Sequence, residues 1–461
     1  MYNKKIKSII GIVGLLSIVL ILTNDLSFAP LLAFGAVIGG TWTPEMALFR
    51  RGLSKKLEKV PYRVSKWADW TQDVNVNKFK KADTYAGAMS LPKPTNLIYQ
   101  IRDYQREGGI YMDIPVQVPL TAQGRVGSAP LRGYEEKRKI LLKRNAINQI
   151  RHGVEIQDSK MSKQVLQKPQ IQMALMERAY EDLRDWFTRK LAIQPYLAIM
   201  QGYSDNITDP TFGLNLSPKS HPNIYVAGSG KVAFSGVFNP AYETAVATAL
   251  ATLNNPATQG MTFKRLMNMV YLAALNKIQP IVVDGKKLIL VILDHVQALQ
   301  LKQDTEYQTY LKDAGIRGKD NLIFTGQLEG TYIEGAYIII DETKPCARIS
   351  GDAGYDTSLG YTVQYGRTDY MSQDRDDGAR RPAVVVGAGA VTCGYGDPLG
   401  FESETADYGQ FKGDAADMII GYERADIIDS DNYFGLGANT FYGNFSSFLY
   451  FTYGTETISS Y

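Results

Sequence analysis

The stretch that decides the reading runs from Arg132 to Gln164, RGYEEKRKILLKRNAINQIRHGVEIQDSKMSKQ. An acidic pair, Glu135-Glu136, leads into a basic and apolar run carrying Lys137, Arg138, Lys139, Lys143 and Arg144. Gln149-Ile150-Arg151-His152 and then Met161-Ser162-Lys163-Gln164 come next. Upstream, Tyr111 to Leu120 (YMDIPVQVPL) alternates in part, with Ile114, Val116 and Val118 on one side and Gln117 on the other. Such period-two patterning suits a half-exposed strand. Pro115 and Pro119 cannot donate to a ladder, which places that strand at a sheet edge. Between the two stretches lies TAQGRVGSAPLRG, residues 121–133, a glycine-rich tip. The arrangement reads as a long hairpin whose returning arm, starting near Tyr134, feeds a helix. An arm this charged has little apolar surface for its own core; it is either solvated or laid across a neighbouring subunit.

Downstream, Pro169 opens the clearest helix, to about Lys190, with Met176, Tyr180, Leu183, Phe187 and Leu191 at steps of three and four. Arg178, Glu181, Asp182, Arg184 and Asp185 fill its other face. Gly202 to Gly236 is glycine- and proline-rich loop. Phe263 to Leu275 reads as a second amphipathic helix with Thr262 as its cap. Leu288 to Leu293 (LILVIL) is apolar throughout, as expected of a strand buried on both faces. Asp294 starts another helix, Gly335 to Asp341 is a strand, and Pro382 closes a charged loop before the strand Ala383 to Val386. The end of the chain, Phe441 to Tyr453, is aromatic and strand-like. This order of elements predicts an α+β fold with mixed sheets.

The chain's 461 residues suffice for two or three lobes, and 45% hydrophobic with 21% charged residues is ordinary globular composition. The net charge of +3 hides an asymmetry. Met46 to Tyr85 holds ten basic and four acidic residues, whereas Gly351 to Tyr461 holds six basic and seventeen acidic ones. A basic leading arm and an acidic trailing lobe either attract each other between subunits or form two independent solvated faces. No basic patch interleaved with aromatics reads as a nucleic-acid reader, so contact with DNA is expected to be weak and non-specific. Ile9 to Leu22, preceded by Lys4, Lys5 and Lys7, is an uncharged run of signal-peptide length, shorter than a membrane span of about 20 residues. Three explanations stand for it: a start codon placed too far upstream (Met46 is in frame), a propeptide removed on maturation, or an export signal.

The sequence predicts no catalytic residue, no cofactor and no metal. The three histidines, His152, His221 and His295, have no zinc-binding spacing and read as hydrogen-bonding structural residues. Gly228-Ser229-Gly230-Lys231 imitates part of a phosphate loop, but Val232 stands where the magnesium-holding Ser or Thr belongs. Val384 to Gly389 imitates a dinucleotide fingerprint, yet Thr392 replaces its third glycine, leaving a strand that runs into a turn. Cys346 and Cys393 are far apart and read as reduced, buried residues.

The hairpin stretch resembles the signature of the N-four-like family of tailed-phage major capsid proteins, and further blocks occur in that family's order. They are Lys277 to Ile281, Asp284-Gly285 and Asp294-His295 (with Val296 in place of the family's proline), then Asn321 to Gly326 with Gly330, Gly335 and Tyr337. Gly387-Ala388, Asp407-Tyr408-Gly409 and Gly421 complete the series, which spans about Trp42 to Tyr453. The family-motif residues are Glu135, Glu136, Gln149, Arg151, His152, Asn321, Gly326, Asp407, Tyr408 and Gly409, with structural rather than chemical roles.

The resemblance implies the Hong Kong 97-type phage capsid fold, divided as an apolar leader (1–41), an amino-terminal arm (42–95) and an extended hairpin loop (96–163). A peripheral domain (164–205 and 381–431) would carry the long spine helix, and an axial domain (206–380 and 432–461) would complete the chain. It implies a major capsid protein that self-assembles as hexamers and pentamers into the icosahedral shell around a tailed bacteriophage's double-stranded DNA. The shell would be built in the host cytoplasm and retained in the virion. Scaffold, portal and decoration proteins are the implied partners, with no small-molecule substrate. The rival readings are an exported surface or envelope protein, and a capsid-fold nanocompartment shell.

Overall fold

The computed structural model describes residues 67, 70–74, 96–101, 111–117, 124–127, 132, 135, 140–157, 169–208, 219–283, 286–315, 332–341, 343–352, 355, 362–365, 379–406, 411–429, 440–444 and 446–454. The leader, most of the arm and the charged loop after Arg367 therefore lie outside the described residues. The chain forms two compact units. The described residues of the smaller come from Arg151–Asp185 and Leu399–Asp417; the larger holds Pro61–Ile150, Trp186–Pro398 and Met418–Tyr461.

The larger unit is built on a mixed ten-stranded sheet. Its main path runs Tyr332–Ile333, Ala336–Ile340, Lys286–Leu293, Arg380–Val386, Ser447–Tyr453, Ile224–Val226 and Gly230–Lys231. Lys286–Leu293 lies parallel to Ala336–Ile340 on one side and antiparallel to Arg380–Val386 on the other. That central position explains its unbroken apolar run, and Leu290 to Leu293 are all buried. Arg380–Val386 pairs with Ser447–Tyr453 along its full length, from Arg380 opposite Tyr453 to Val386 opposite Ser447.

Pro382 lies within that strand and does not end the loop before it, a correction to the sequence reading. It stands opposite Phe451, whereas pairing to Lys286–Leu293 begins only at Val384. The absent N–H therefore costs no bond in that second ladder.

A five-stranded sheet has the order Thr71–Val74, Ile98–Ile101, Val391–Ala406, Phe411–Arg424, Asn148–Gln157. The expected hairpin is present as a separate two-stranded sheet, in which Tyr111–Gln117 pairs antiparallel with Ile140–Ala146. Both strands are edges there, so Pro115 is tolerated.

The long helix spans Pro169–Gln201 and continues well past the expected end near Lys190, with Pro195 inside it. Its amphipathic pattern, with Tyr180, Leu183, Phe187 and Leu191 buried, gives way to complete burial from Ile193 to Met200. A proline in a helix interior frees the carbonyl four residues earlier and kinks the axis. Here the neighbouring carbonyl of Ala192 accepts the indole N–H of Trp67 at 2.9 Å, and the Trp67 ring sits edge-on to Tyr196 at 4.8 Å. Trp67 is 6% exposed, and its own carbonyl accepts the Thr71 hydroxyl at 2.8 Å. The first strand, Thr71–Val74, is thus fastened to the far part of the helix.

Phe263–Leu275 is a helix, as expected, but Thr262 makes no side-chain cap bond. Asp304 does so instead, accepting the Phe263 N–H at 2.6 Å from 41 residues away. At His295–Gln303 the local signal is sufficient: Asp294 and Gln297 form a reciprocal capping box.

Close backbone approach fixes one glycine. A Cβ on Gly421 would stand 2.0 Å from the Ala146 carbonyl oxygen and 2.8 Å from Ile207 Cδ1, whereas on Gly413 it would meet only the Val154 oxygen at 3.8 Å. Gly421→Ala is expected to lower stability to urea by about 1–3 kcal/mol, and Gly413→Ala to stay within about 0.5 kcal/mol. Equal midpoints for the two variants would contradict the close packing at Gly421.

Candidate assembly surface and its anchors

In the smaller unit, parts of three strands form a sheet with two unlike sides. One side is buried: Ala179, Tyr180 and Leu183 of the long helix are covered, as are Leu399 and Ala416. The Tyr180 and Phe401 rings meet edge to face at 6.4 Å. The other side is partly or fully exposed and short of side chains, carrying Arg151 and Gly153, then Gly413, Ala415 and Asp417, then Gly400 and Glu402. A Cβ on Gly153 would lie 3.6 Å from the Ala415 Cβ, and one on Gly400 would lie 3.0 Å from Asp417 Oδ1, which places these residues on one side. Arg151 and Glu402 face each other across this surface at 3.9 Å, with side chains 59% and 72% exposed. A pair so open contributes little to stability.

Of the motif residues, the structure brings Gln149, Arg151 and His152 together on the strand Asn148–Gln157. Gln149 is half-buried, and its backbone N–H donates to Asn148 Oδ1 at 2.8 Å. His152 is also half-buried, and burial holds its pKa below the ordinary value. Glu135 is exposed. Glu136, Asn321, Gly326, Asp407, Tyr408 and Gly409 lie outside the described residues.

The charges that hold the larger unit together are elsewhere, at two buried joints the sequence did not reveal. At the first, the carboxylate of Asp294, whose backbone starts a helix, pairs with Arg381. Arg381 Nε also donates to the Gly454 carbonyl at 2.9 Å. Lys344 is buried beside them and donates to Gln297 Oε1 at 2.7 Å and to the Pro382 carbonyl. Burial above all, with Arg381 adding repulsion, brings Lys344 down to about 8 against the attraction of Asp294 and Asp341. Gln297 Nε2 completes the joint by donating to the Arg381 carbonyl at 3.0 Å and Thr452 Oγ1 at 2.8 Å. Tyr196, from the long helix, donates its hydroxyl to Asp341 at 2.7 Å.

The second joint is Arg424, whose side chain is fully buried. Nη1 donates to the carbonyls of Ile199, Met200 and Lys219 at 3.1–3.3 Å, and Nη2 to that of Ser220 at 3.3 Å. Nε donates to Asp426 at 2.8 Å. The guanidinium thereby satisfies carbonyls at the end of the long helix, which have no partner within the helix. Burial alone would raise the Asp426 pKa; the charge and hydrogen bonds of Arg424 outweigh it, and the carboxyl stays below its ordinary value.

The remaining sequence motifs resolve as local structure. Gly228 to Lys231 belongs to a tight hairpin, in which residues 227–229 turn between the short paired strands Ile224–Val226 and Gly230–Lys231, and is not a loop opening a helix. Gly387 to Ala390 turns into the strand Val391–Ala406, as expected. Cys346 and Cys393 are both buried, and no disulfide joins them. Among the described residues no group of His, Cys, Asp and Glu is arranged to hold a metal ion, and no helix is long and apolar enough to cross a membrane.

No protein-family profile matches the chain, and no curated protein matches it in sequence. Solved structures do match. The capsid of Helicobacter pylori bacteriophage KHP30 aligns with a TM-score of 0.53 at 12% identity, over 93% of this chain and 98% of that one. The cyanophage Pam1 capsid aligns with a TM-score of 0.52 at 15% identity, over 94% and 99%. The capsid of Ralstonia phage GP4 aligns with a TM-score of 0.50 at 18% identity, over 80% and 90%. The chain has the α+β fold of tailed-phage capsid proteins, as the sequence resemblance implied.

Proposed function

We propose that this chain is a major capsid protein, which self-assembles into the icosahedral shell enclosing the double-stranded DNA of a tailed bacteriophage. The observation that carries this reading is the fold likeness, which takes in nearly the whole of this chain and of the capsid chains it matches. Subunits of a closed shell adhere through many modest interfaces repeated by symmetry. The flat, side-chain-poor sheet surface around Gly153 and Ala415 and the separate hairpin supply surfaces of that kind. In this reading the hairpin reaches over a neighbouring subunit, and hexamers and pentamers are the assembly units. The chain performs no catalysis; its contacts with packaged DNA are weak and non-specific, and scaffold, portal and decoration proteins are its remaining partners.

Negative-stain microscopy of the purified full-length product, with a phage scaffold protein supplied, tests this directly. Closed shells of uniform diameter are expected. A product that remains monomeric at high concentration under those conditions would rule the coat role out. Intact mass of the same sample reports whether residues before Met46 survive.

A further inference from the structure

Loop 219–223 carries His221, which is fully buried beside the guanidinium of Arg424 and is used by none of the surfaces above. Its ring is fixed on both nitrogens. The Asn223 backbone N–H donates to Nδ1 at 3.0 Å, so Nδ1 must be the unprotonated acceptor. Nε2 then carries the proton and donates it to Ser447 Oγ at 2.9 Å. A proton added to Nδ1 would set two donors against each other and place a second cation next to Arg424.

We propose that His221 is an acid-operated release for the joint that holds the end of the long helix. The loop His221 belongs to supplies the Lys219 and Ser220 carbonyls to Arg424, and the same guanidinium holds Ile199 and Met200. Displacing the loop therefore takes two of its four carbonyls from Arg424 and, with them, the Lys219 N–H that donates to the Gln201 carbonyl at the helix end at 2.8 Å.

The surrounding groups set the balance. Arg424 opposes the extra proton and Asp426 favours it, but Asp426 is already engaged by Arg424 and by Asn444 Nδ2 at 2.8 Å. From the helix Pro240–Ala251, the Tyr242 hydroxyl donates to the His221 carbonyl and Glu243 accepts from Ser220. Tyr365 stays neutral near them, with burial raising its pKa, and Lys219 lies on the loop itself. No other carboxylate among these is placed to receive the new charge. Burial first, then Arg424, holds the imidazole well below its ordinary value. A histidine whose folded pKa is depressed stabilises the closed form above its open-state pKa of about 6.5, and that stability is lost as pH falls below it.

Hydrogen exchange of the full-length chain, corrected for intrinsic rates, tests this on peptides covering 196–203 and 219–226. Between pH 7.5 and 5.0 the opening constant is expected to rise about 30-fold, close to tenfold per pH unit below about 6.5. In His221→Gln, whose amide keeps one acceptor and one donor but does not titrate, the rise should be under about threefold. Equal rises in the two proteins would overturn the proposal. Should that variant fail to fold, a Cε1-labelled histidine titration of the natural chain decides. Only three histidines are present, and His152→Gln and His295→Gln identify the other two resonances. A His221 midpoint well below the ordinary histidine value supports the release, and one at or above about 6.5 overturns it.

Discussion

Replacing Arg424 by alanine is expected to lower the free energy of unfolding by about 3–5 kcal/mol, the range for breaking one side of a buried ion pair. Two losses combine. Asp426 keeps only the neutral amide of Asn444 from the pair of side chains described above, and must either bear an uncompensated charge or take up a proton. At the same time the Ile199, Met200, Lys219 and Ser220 carbonyls lose their shared donor. Arg424→Lys should recover little, because one ammonium cannot span a carboxylate on one edge and four carbonyls on the other as the planar guanidinium does. Urea denaturation followed by circular dichroism measures both variants. A loss below about 1 kcal/mol for Arg424→Ala would show that the joint is dispensable.

The second large effect is expected at Asp294. Asp294→Ala removes a helix cap worth about 1 kcal/mol. It also leaves Arg381 and Lys344 buried with less opposing charge, for a total of about 3–5 kcal/mol. Asp294→Asn keeps a capping oxygen and should recover about the cap's share. Lys344, already down at about 8, loses one of the charges that hold it up and moves lower still. The pair of variants therefore separates the cap from the charge. Equal destabilisation by Ala and Asn would mean that the ion pair outweighs the cap entirely, and no destabilisation by Asn would mean the reverse.

These joints mark the limit of what the sequence discloses. Elements whose signal is local are legible: the hairpin from its alternation and prolines, the long helix from its apolar steps, Lys286–Leu293 from its unbroken run, and the Asp294 cap from its partner three residues on. Sequence reading fails where a distant partner overrides a local signal. Pro195 argues for a helix end, but Trp67 and complete burial carry the helix past it. Thr262 has the type and position of a cap, yet Asp304 takes the bond. Pro382 looks like a loop boundary until the strand it pairs with is known. Arg381 and Arg424 each lie near the end of a strand with an apolar run. Apart from Asp426, two residues from Arg424, nothing nearby in sequence announces that they turn inward, since their other acceptors lie 73 and 87 residues from Arg381 and 204 to 225 residues from Arg424. The one available signal is a charged pair, Arg380-Arg381 or Glu423-Arg424, beside a run of Val, Ile or Met. Among the motif residues, Gln149, Arg151 and His152 lie close together for a simple reason: near positions on one strand stay near in any fold.

The Trp67 fastening has a consequence for processing. From Trp67 onward the chain is secured twice, by the indole on the Ala192 carbonyl and by the Thr71–Val74 strand at a sheet edge. Every atom in that attachment belongs to residue 67 or later, so a protease could remove the apolar leader, or the segment up to the Met46 start, and leave the attachment chemically unchanged. Trp67 is thus the first residue of the described attachment, and cleavage ahead of it leaves each of those bonds in place.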